Sequence, residues 1–134
     1  MIQYSDQIEN NNFQSRLIHV PSGIISKSSF FDFFAKELKF PGYFGRNWDA
    51  FDECLGDLSW LNGEDITIIH EDLPLLPSPN DARIYLEILD ELSNENEFVK
   101  LRVVFPAKLR KYVSQLLGST NEKNPTEELL KSGQ

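Results

Sequence analysis

Apolar and polar positions along the chain change period several times, and each change marks an element. The stretch "SRLIHV" (15–20) predicts a first strand closed by the turn pair Pro21 and Gly23. "SSFFDFFAKELKF" predicts a helix, with Ser29 and Asp32 spaced as a capping box and Pro41 ending it near Phe40. "PGYFGR" reads as a loop in which Gly42 and Gly45 are free to adopt positive φ. Asn47 is a good N-cap for the helix "WDAFDECLGDLSWL", whose Trp48, Phe51, Leu55 and Leu58 share one face. "DITIIH" (65–70) is a short, continuously apolar strand, and the proline-rich "EDLPLLPSPN" connects it onward. "DARIYLEILDELSNE" (81–95) is an amphipathic helix that draws its buried set from Ile84, Leu86, Ile88, Leu89 and Leu92. "FVKLRVVF" (98–105) is a strand, and "AKLRKYVSQLLG" a last helix stopped by Gly118.

Strands alternating with helices predict an α/β fold: a small three-stranded parallel sheet packed by helices, with an additional C-terminal helix. Residues 1–13 read as a polar leader. The 134 residues form one expected domain, with a core over about 15–105, the last helix over about 106–118, and a mobile tail over 119–134.

Charge sharpens this picture. The formal net charge is -8, which argues against nucleic acid as the main ligand, since phosphate binding rests on Lys and Arg. Between Asn47 and Val99 there are 14 acidic residues and one basic residue, Arg83; the rest of the chain has 7 acidic and 12 basic residues. Such an anionic zone favours a cationic partner, although on charge alone a solvated face that maintains solubility is the simpler reading. No apolar run approaches the roughly 20 residues of a membrane span. The N-terminus lacks the pattern of a signal peptide, and the single cysteine, Cys54, allows no intrachain disulfide, so a cytoplasmic protein is expected.

The stretch "FPGYFGRNWDAFDECLGDL" (40–58) carries the chemistry. With Trp48, Phe51 and Leu55 turned inward, Asp49 and Glu53 share the solvent flank, with Asp52 and Asp57 nearby. Like charges four apart destabilise a helix by roughly 0.2–0.5 kcal/mol, and only Asp49 lies in the first turn, where the helix dipole favours an anion. Tyr43, Phe44 and Trp48 could simply close the core, the glycines could make a turn, and the carboxylates could be an ordinary wet face. Against that, a glycine-loosened backbone, an aromatic and an unneutralised carboxylate pair together make a ready anchor for Arg or Lys.

This stretch resembles the motif of the barstar family, inhibitors of small secreted ribonucleases related to barnase. The family pattern of proline, aromatic pair, glycine, x, asparagine, apolar residue, aspartate, x3, acidic residue, cysteine and leucine is met by Pro41, Tyr43, Phe44, Gly45, Asn47, Trp48, Asp49, Glu53, Cys54 and Leu55. "KELKFP" leads into the motif as the family's helix does, and "DITIIH" and "FVKLRVVF" fall where its second and third strands belong; the likeness covers roughly residues 15–105. It implies a loop and helix that plug a nuclease active site, with side chains standing in for substrate phosphates. On that carry-over Tyr43 is the stacking aromatic, Gly45 lets backbone approach the enzyme, and Asp49 pairs with Arg or Lys. Glu53 stands for a second carboxylate that is usually aspartate, and Asp52 stands where the family's type member has a tryptophan. A further acidic contact before the last strand falls to Asp90, Glu91 or Glu95.

Together Tyr43, Phe44, Gly45, Asn47, Trp48, Asp49, Asp52 and Glu53 form the expected partner-binding set. The leading reading is an intracellular antidote or immunity protein that occludes a basic ribonuclease or nuclease toxin, monomeric when free, without cofactor, metal or enzymatic activity. The alternative is an acidic interaction module on the same fold with a different partner. A "DxxDE" magnesium cluster of Asp49, Asp52 and Glu53 would need ligands from a second element, and no matching acidic motif presents itself. Paired glycosidase carboxylates would flank a groove from different elements. His19 and His70 lack metal or catalytic spacing, and Cys54 has no neighbouring base to activate it.

Overall fold

The structure, a computed structural model, describes residues 2–6, 15–61, 63–95 and 100–123. In chain order the elements are β1 (Ile2–Tyr4), β2 (Ser15–Val20), α1 (Lys27–Glu37), α2 (Trp48–Asp57), β3 (Asp65–His70), α3 (Pro79–Glu95), β4 (Leu101–Phe105) and α4 (Arg110–Lys123). Short 3-10 turns at Ser59–Leu61 and Ala107–Leu109 follow α2 and precede α4.

All strand pairs are parallel, and the sheet order is β1-β4-β3-β2. The fold class is therefore as expected, with four strands rather than three. The extra strand comes from the supposed leader: Ile2 and Tyr4 pair with Val103 and Phe105 on the flank of β4, and the ladder continues through Ser5 N–H to the Phe105 carbonyl at 2.9 Å. Asp6 extends the attachment by accepting from the Ala107 amide at 3.0 Å. The remainder of that leader, Met1 and residues 7–13, lies outside the described residues, as do 98 and 99 of the sequence-predicted last strand.

Register explains the core. Ile18, Ile68, Val103 and Ile2 form one row across the four strands, all pointing to the helices. Side chains from all four helices join this row in a single apolar cluster, with Val113 as the buried contribution of α4. Aromatic residues fill the space between α1, α2 and α3. The Phe30 ring lies 4.8–5.5 Å from those of Phe31, Phe34, Trp48, Phe51 and Tyr85, the separations of offset and edge contacts. In α3 the buried positions are Ala82, Tyr85, Leu86, Ile88 and Leu89, while Ile84 and Leu92 are half-buried at the margin.

Helix ends differ from expectation for identifiable reasons. Ser26, not Ser29, caps α1: its hydroxyl accepts from the Ser29 amide at 3.2 Å, and Asp32 is left free for another role. The helix closes at Glu37, three residues before Phe40. Lys39 turns left-handed (φ 55°), and the Phe40 amide reaches back to the Ala35 carbonyl at 2.9 Å, satisfying an end carbonyl ahead of Pro41. At the other end of the chain, α4 runs through Gly118 to Lys123, so that glycine is no stop; 124–134 lie outside the described residues. One interior glycine costs about 1 kcal/mol relative to alanine, which a packed 14-residue helix absorbs.

Candidate functional site

The loop from Lys39 to Asn47 carries the first site residues, and its conformation follows from where its aromatics go. The Phe44 amide donates to the Pro41 carbonyl at 3.0 Å, a tight turn that separates two neighbouring rings. Phe44 folds inward, 5.7 Å from the Phe31 ring and 4.9 Å from Phe40. Tyr43 points out, 76% exposed, the most exposed large hydrophobic side chain of the described residues. Of the three aromatics that could have closed the core, Phe44 and Trp48 pack against it and Tyr43 does not.

After Lys39, the left-handed residue of this loop is Arg46 (φ 57°), whereas neither Gly42 nor Gly45 has positive φ. The glycine at 45 answers a spatial need instead. A Cβ there would meet Asn47 Nδ2 at 3.3 Å and the Ala50 methyl at 3.6 Å, crowding the cap that starts α2. That cap is the expected one: Asn47 Oδ1 accepts from the Ala50 amide at 2.8 Å.

Arg46 turns back onto α1. Its guanidinium bonds Asp32 at 2.5 Å and the Ser28 carbonyl and hydroxyl at 3.2 Å each. The Asp32 that the sequence offered as half of a capping box is thus the counter-ion that holds Arg46. Arg46, just ahead of the α2 cap, is tied to a neighbour on α1, and no ion pair among the described residues reaches the carboxylates of α2.

Trp48 opens α2 half-buried, its indole against Phe30, Phe31 and Phe51. Its Nε1–H donates to Asp81 Oδ1 at 3.2 Å, and Asp81 in turn accepts from the Ser78 hydroxyl at 3.0 Å, within the cap that starts α3 at Pro79. The start of α2 is therefore locked to the start of α3. Asp81 escaped the sequence reading, although "SPND" with Pro at the first helical position was a signal for it.

One turn of α2 then presents Asp49 and Glu53 exposed and Asp52 half-buried between them. Among the described residues the ion pairs are Arg16–Glu64 and Arg46–Asp32, and none involves α2. Burial pushes the Asp52 carboxyl above its ordinary range, and the charges of Asp49 and then Glu53 push it further. The three behave as a mutually repelling group held on a rigid helix.

The structure thus leaves Tyr43, Gly45, Asn47, Trp48, Asp49, Asp52 and Glu53 wholly or partly exposed on one loop and the helix that follows it, with Phe44 folded inward. Asp90 lies apart, close to Tyr4 and Arg110 on the flank of α3 that faces β1 and α4. Glu91, one residue on, points about 100° away and is exposed. The Glu95 side chain lies outside the described residues.

Other groups with chemical potential are engaged structurally. Cys54 is buried, and burial with the charges of Glu53 and Asp57 raises its thiol pKa, the reverse of what a nucleophile needs. His70 is buried and bonded through both ring nitrogens. Among the described residues no three His, Cys, Asp or Glu side chains converge where a metal ion could sit, and no helix is long and apolar enough to cross a membrane.

Residues 16–106 match the family model described as Barstar (barnase inhibitor), more than half of the chain. The chain belongs to the barstar family. No curated protein and no solved structure matches it. The matched segment begins at Arg16 in β2 and ends at Pro106 just after β4, so β1 and α4 lie outside it. β1 closes the β4 edge of the sheet and α4 packs against α3 through the core cluster. The barstar-family motif falls on the loop and helix whose geometry is described above.

Proposed function

We propose that this barstar-family protein inhibits a barnase-type ribonuclease by laying the 43–53 surface over the enzyme's active site. Tyr43 stacks on the enzyme from an exposed, well-anchored loop. Asp49 and Glu53 take the places of substrate phosphates against active-site Arg and Lys, and Trp48 fixes the angle of α2. Gly45 and Asn47 keep the backbone there close to the partner. In a cell that makes such a nuclease, the inhibitor serves as its antidote.

The observation that supports this reading most is the unpaired state of the α2 carboxylates beside an arginine committed elsewhere. A chain needing only solubility gains nothing from withholding Arg46. Held apart, the carboxylates remain available for a cation from another molecule, and an anionic surface speeds encounter with a basic enzyme. Glu53 is one methylene longer than the aspartate usual in the family, and its exposed position on α2 leaves room for a longer reach.

The test is titration of the purified protein into a barnase-type ribonuclease, with RNA cleavage followed at low and moderate salt. Stoichiometric inhibition that disappears in Asp49→Ala/Glu53→Ala is expected. No inhibition, with an intact fold, would turn the proposal toward an acidic module with another partner. Asp52 favours that second reading, since a half-buried carboxylate replaces a packing indole.

A further inference from the structure

Beside the acidic flank the chain has a surface of opposite sign. A cleft of about 420 Å³ opens between the first turns of α1 and α2, lined by Lys27, Ser28, Phe31, Arg46, Asn47 and Trp48. Lys27 is exposed and forms no ion pair among the described residues, and Arg46 also lines the cleft while bonded to Asp32 and Ser28. The first turn of α1 holds no acidic residue, in contrast to Asp49 in α2, and Asp32 further along α1 is bonded to Arg46. Asn47 and Trp48 belong to both surfaces. A partner seated on Asp49 therefore abuts the mouth of this cleft.

We propose that the cleft receives a carboxylate side chain, Asp or Glu, of the protein partner that docks on α2. This rests on the reading of the 43–53 surface as the docking site. A monoanion fits better than a phosphate: Asp32, bonded to the lining Arg46, and Asp49, next in sequence to the lining Trp48, repel a dianion more strongly, and the Phe31 and Trp48 rings suit the apolar stem of a side chain. The partner then carries a cationic patch with an adjacent carboxylate, a pattern that fixes the orientation of docking as well as attraction.

The sign of one substitution tests this. If Lys27 faced only cations of the partner, Lys27→Glu would tighten the complex with a basic ribonuclease. The proposal expects the opposite, roughly a 10-fold weaker complex, with Lys27→Met in between. Tighter or unchanged binding would overturn it. If the wild type binds no ribonuclease, the functional reading fails, and the free protein decides the cleft by itself. Sodium acetate at constant ionic strength should shift the Ser28 and Asn47 amide resonances saturably, and Lys27→Glu should abolish the shifts. No saturable shift, or one with inorganic phosphate and none with acetate, would overturn the carboxylate assignment.

Discussion

Two polar regions of this molecule treat their charges in opposite ways. Under the C-terminal end of β3, His70 is fully enclosed, stacked 3.8 Å from Phe105, and both ring nitrogens are bonded. Nδ1–H donates to the Val104 carbonyl at 2.9 Å, which leaves Nε2 to accept from the Tyr85 hydroxyl at 2.7 Å. On the outer flank of α2, Asp49, Asp52 and Glu53 have no cationic partner among the described residues. The interior pair is completed within the chain because a buried polar group left unpaired is costly. The flank has no such partner among the described residues, and water makes that tolerable. On the proposed function, changes to the interior pair should act mainly on stability and changes to the flank mainly on binding.

The largest effect expected is at the interface. Asp49→Ala or Glu53→Ala should each cost about 2–5 kcal/mol of ribonuclease binding, read from dissociation rates, while the unfolding midpoint stays close to wild type. That range draws in part on barnase–barstar itself. A smaller effect with the reverse signature is expected inside. Tyr85→Phe strands Nε2 of His70 without its donor, and should lower unfolding free energy by about 1–3 kcal/mol in denaturant titration while leaving inhibition intact.

Acid should expose the same contrast. Burial lowers the His70 pKa from 6.5 to about 3, against a weaker opposing effect of the Val104 carbonyl. Between those values the unfolded chain holds one more proton at this site than the folded chain does. The contribution of His70 to stability is therefore complete above about pH 6.5 and declines as pH falls toward 3, by up to about 1.4 kcal/mol per pH unit. Asp52 has the opposite sign, since its raised folded pKa makes the folded state the better proton binder. Comparing wild type with His70→Gln across pH 3–7 isolates the histidine; equal slopes would show that it does not titrate as buried.

Much of this arrangement was legible in the sequence, for physical reasons. Asn47 could be read as a cap because Asn before an apolar-periodic run has one strong local use, and the α2 face could be read from period alone. Short or doubly determined features could not. β1 has one alternation, Ile2-Gln3-Tyr4, and exists because β4 offers it an edge. Asp32 suited a capping box by spacing, yet Ser26 took the cap and the aspartate found Arg46 across a loop. Gly45 suggested backbone freedom, whereas the fold uses its missing Cβ. Which of Tyr43 and Phe44 faces out depends on the turn at Pro41, and both residues suit either place.

The smallest effect carries the central claim, that α2 holds its carboxylates for another molecule at some expense to itself. In Glu53→Gln the shape is kept and the repulsion removed, while Asp49 keeps its favourable place in the first turn of the helix. Free, this variant should unfold at a slightly higher midpoint, by roughly 0.2–0.5 kcal/mol from the i,i+4 pair. The decisive measurement is that stability together with affinity for a barnase-type ribonuclease on the same preparation. The account predicts opposite signs: a protein marginally more stable and a far weaker inhibitor. A less stable variant, or one that inhibits as well as wild type, would contradict it.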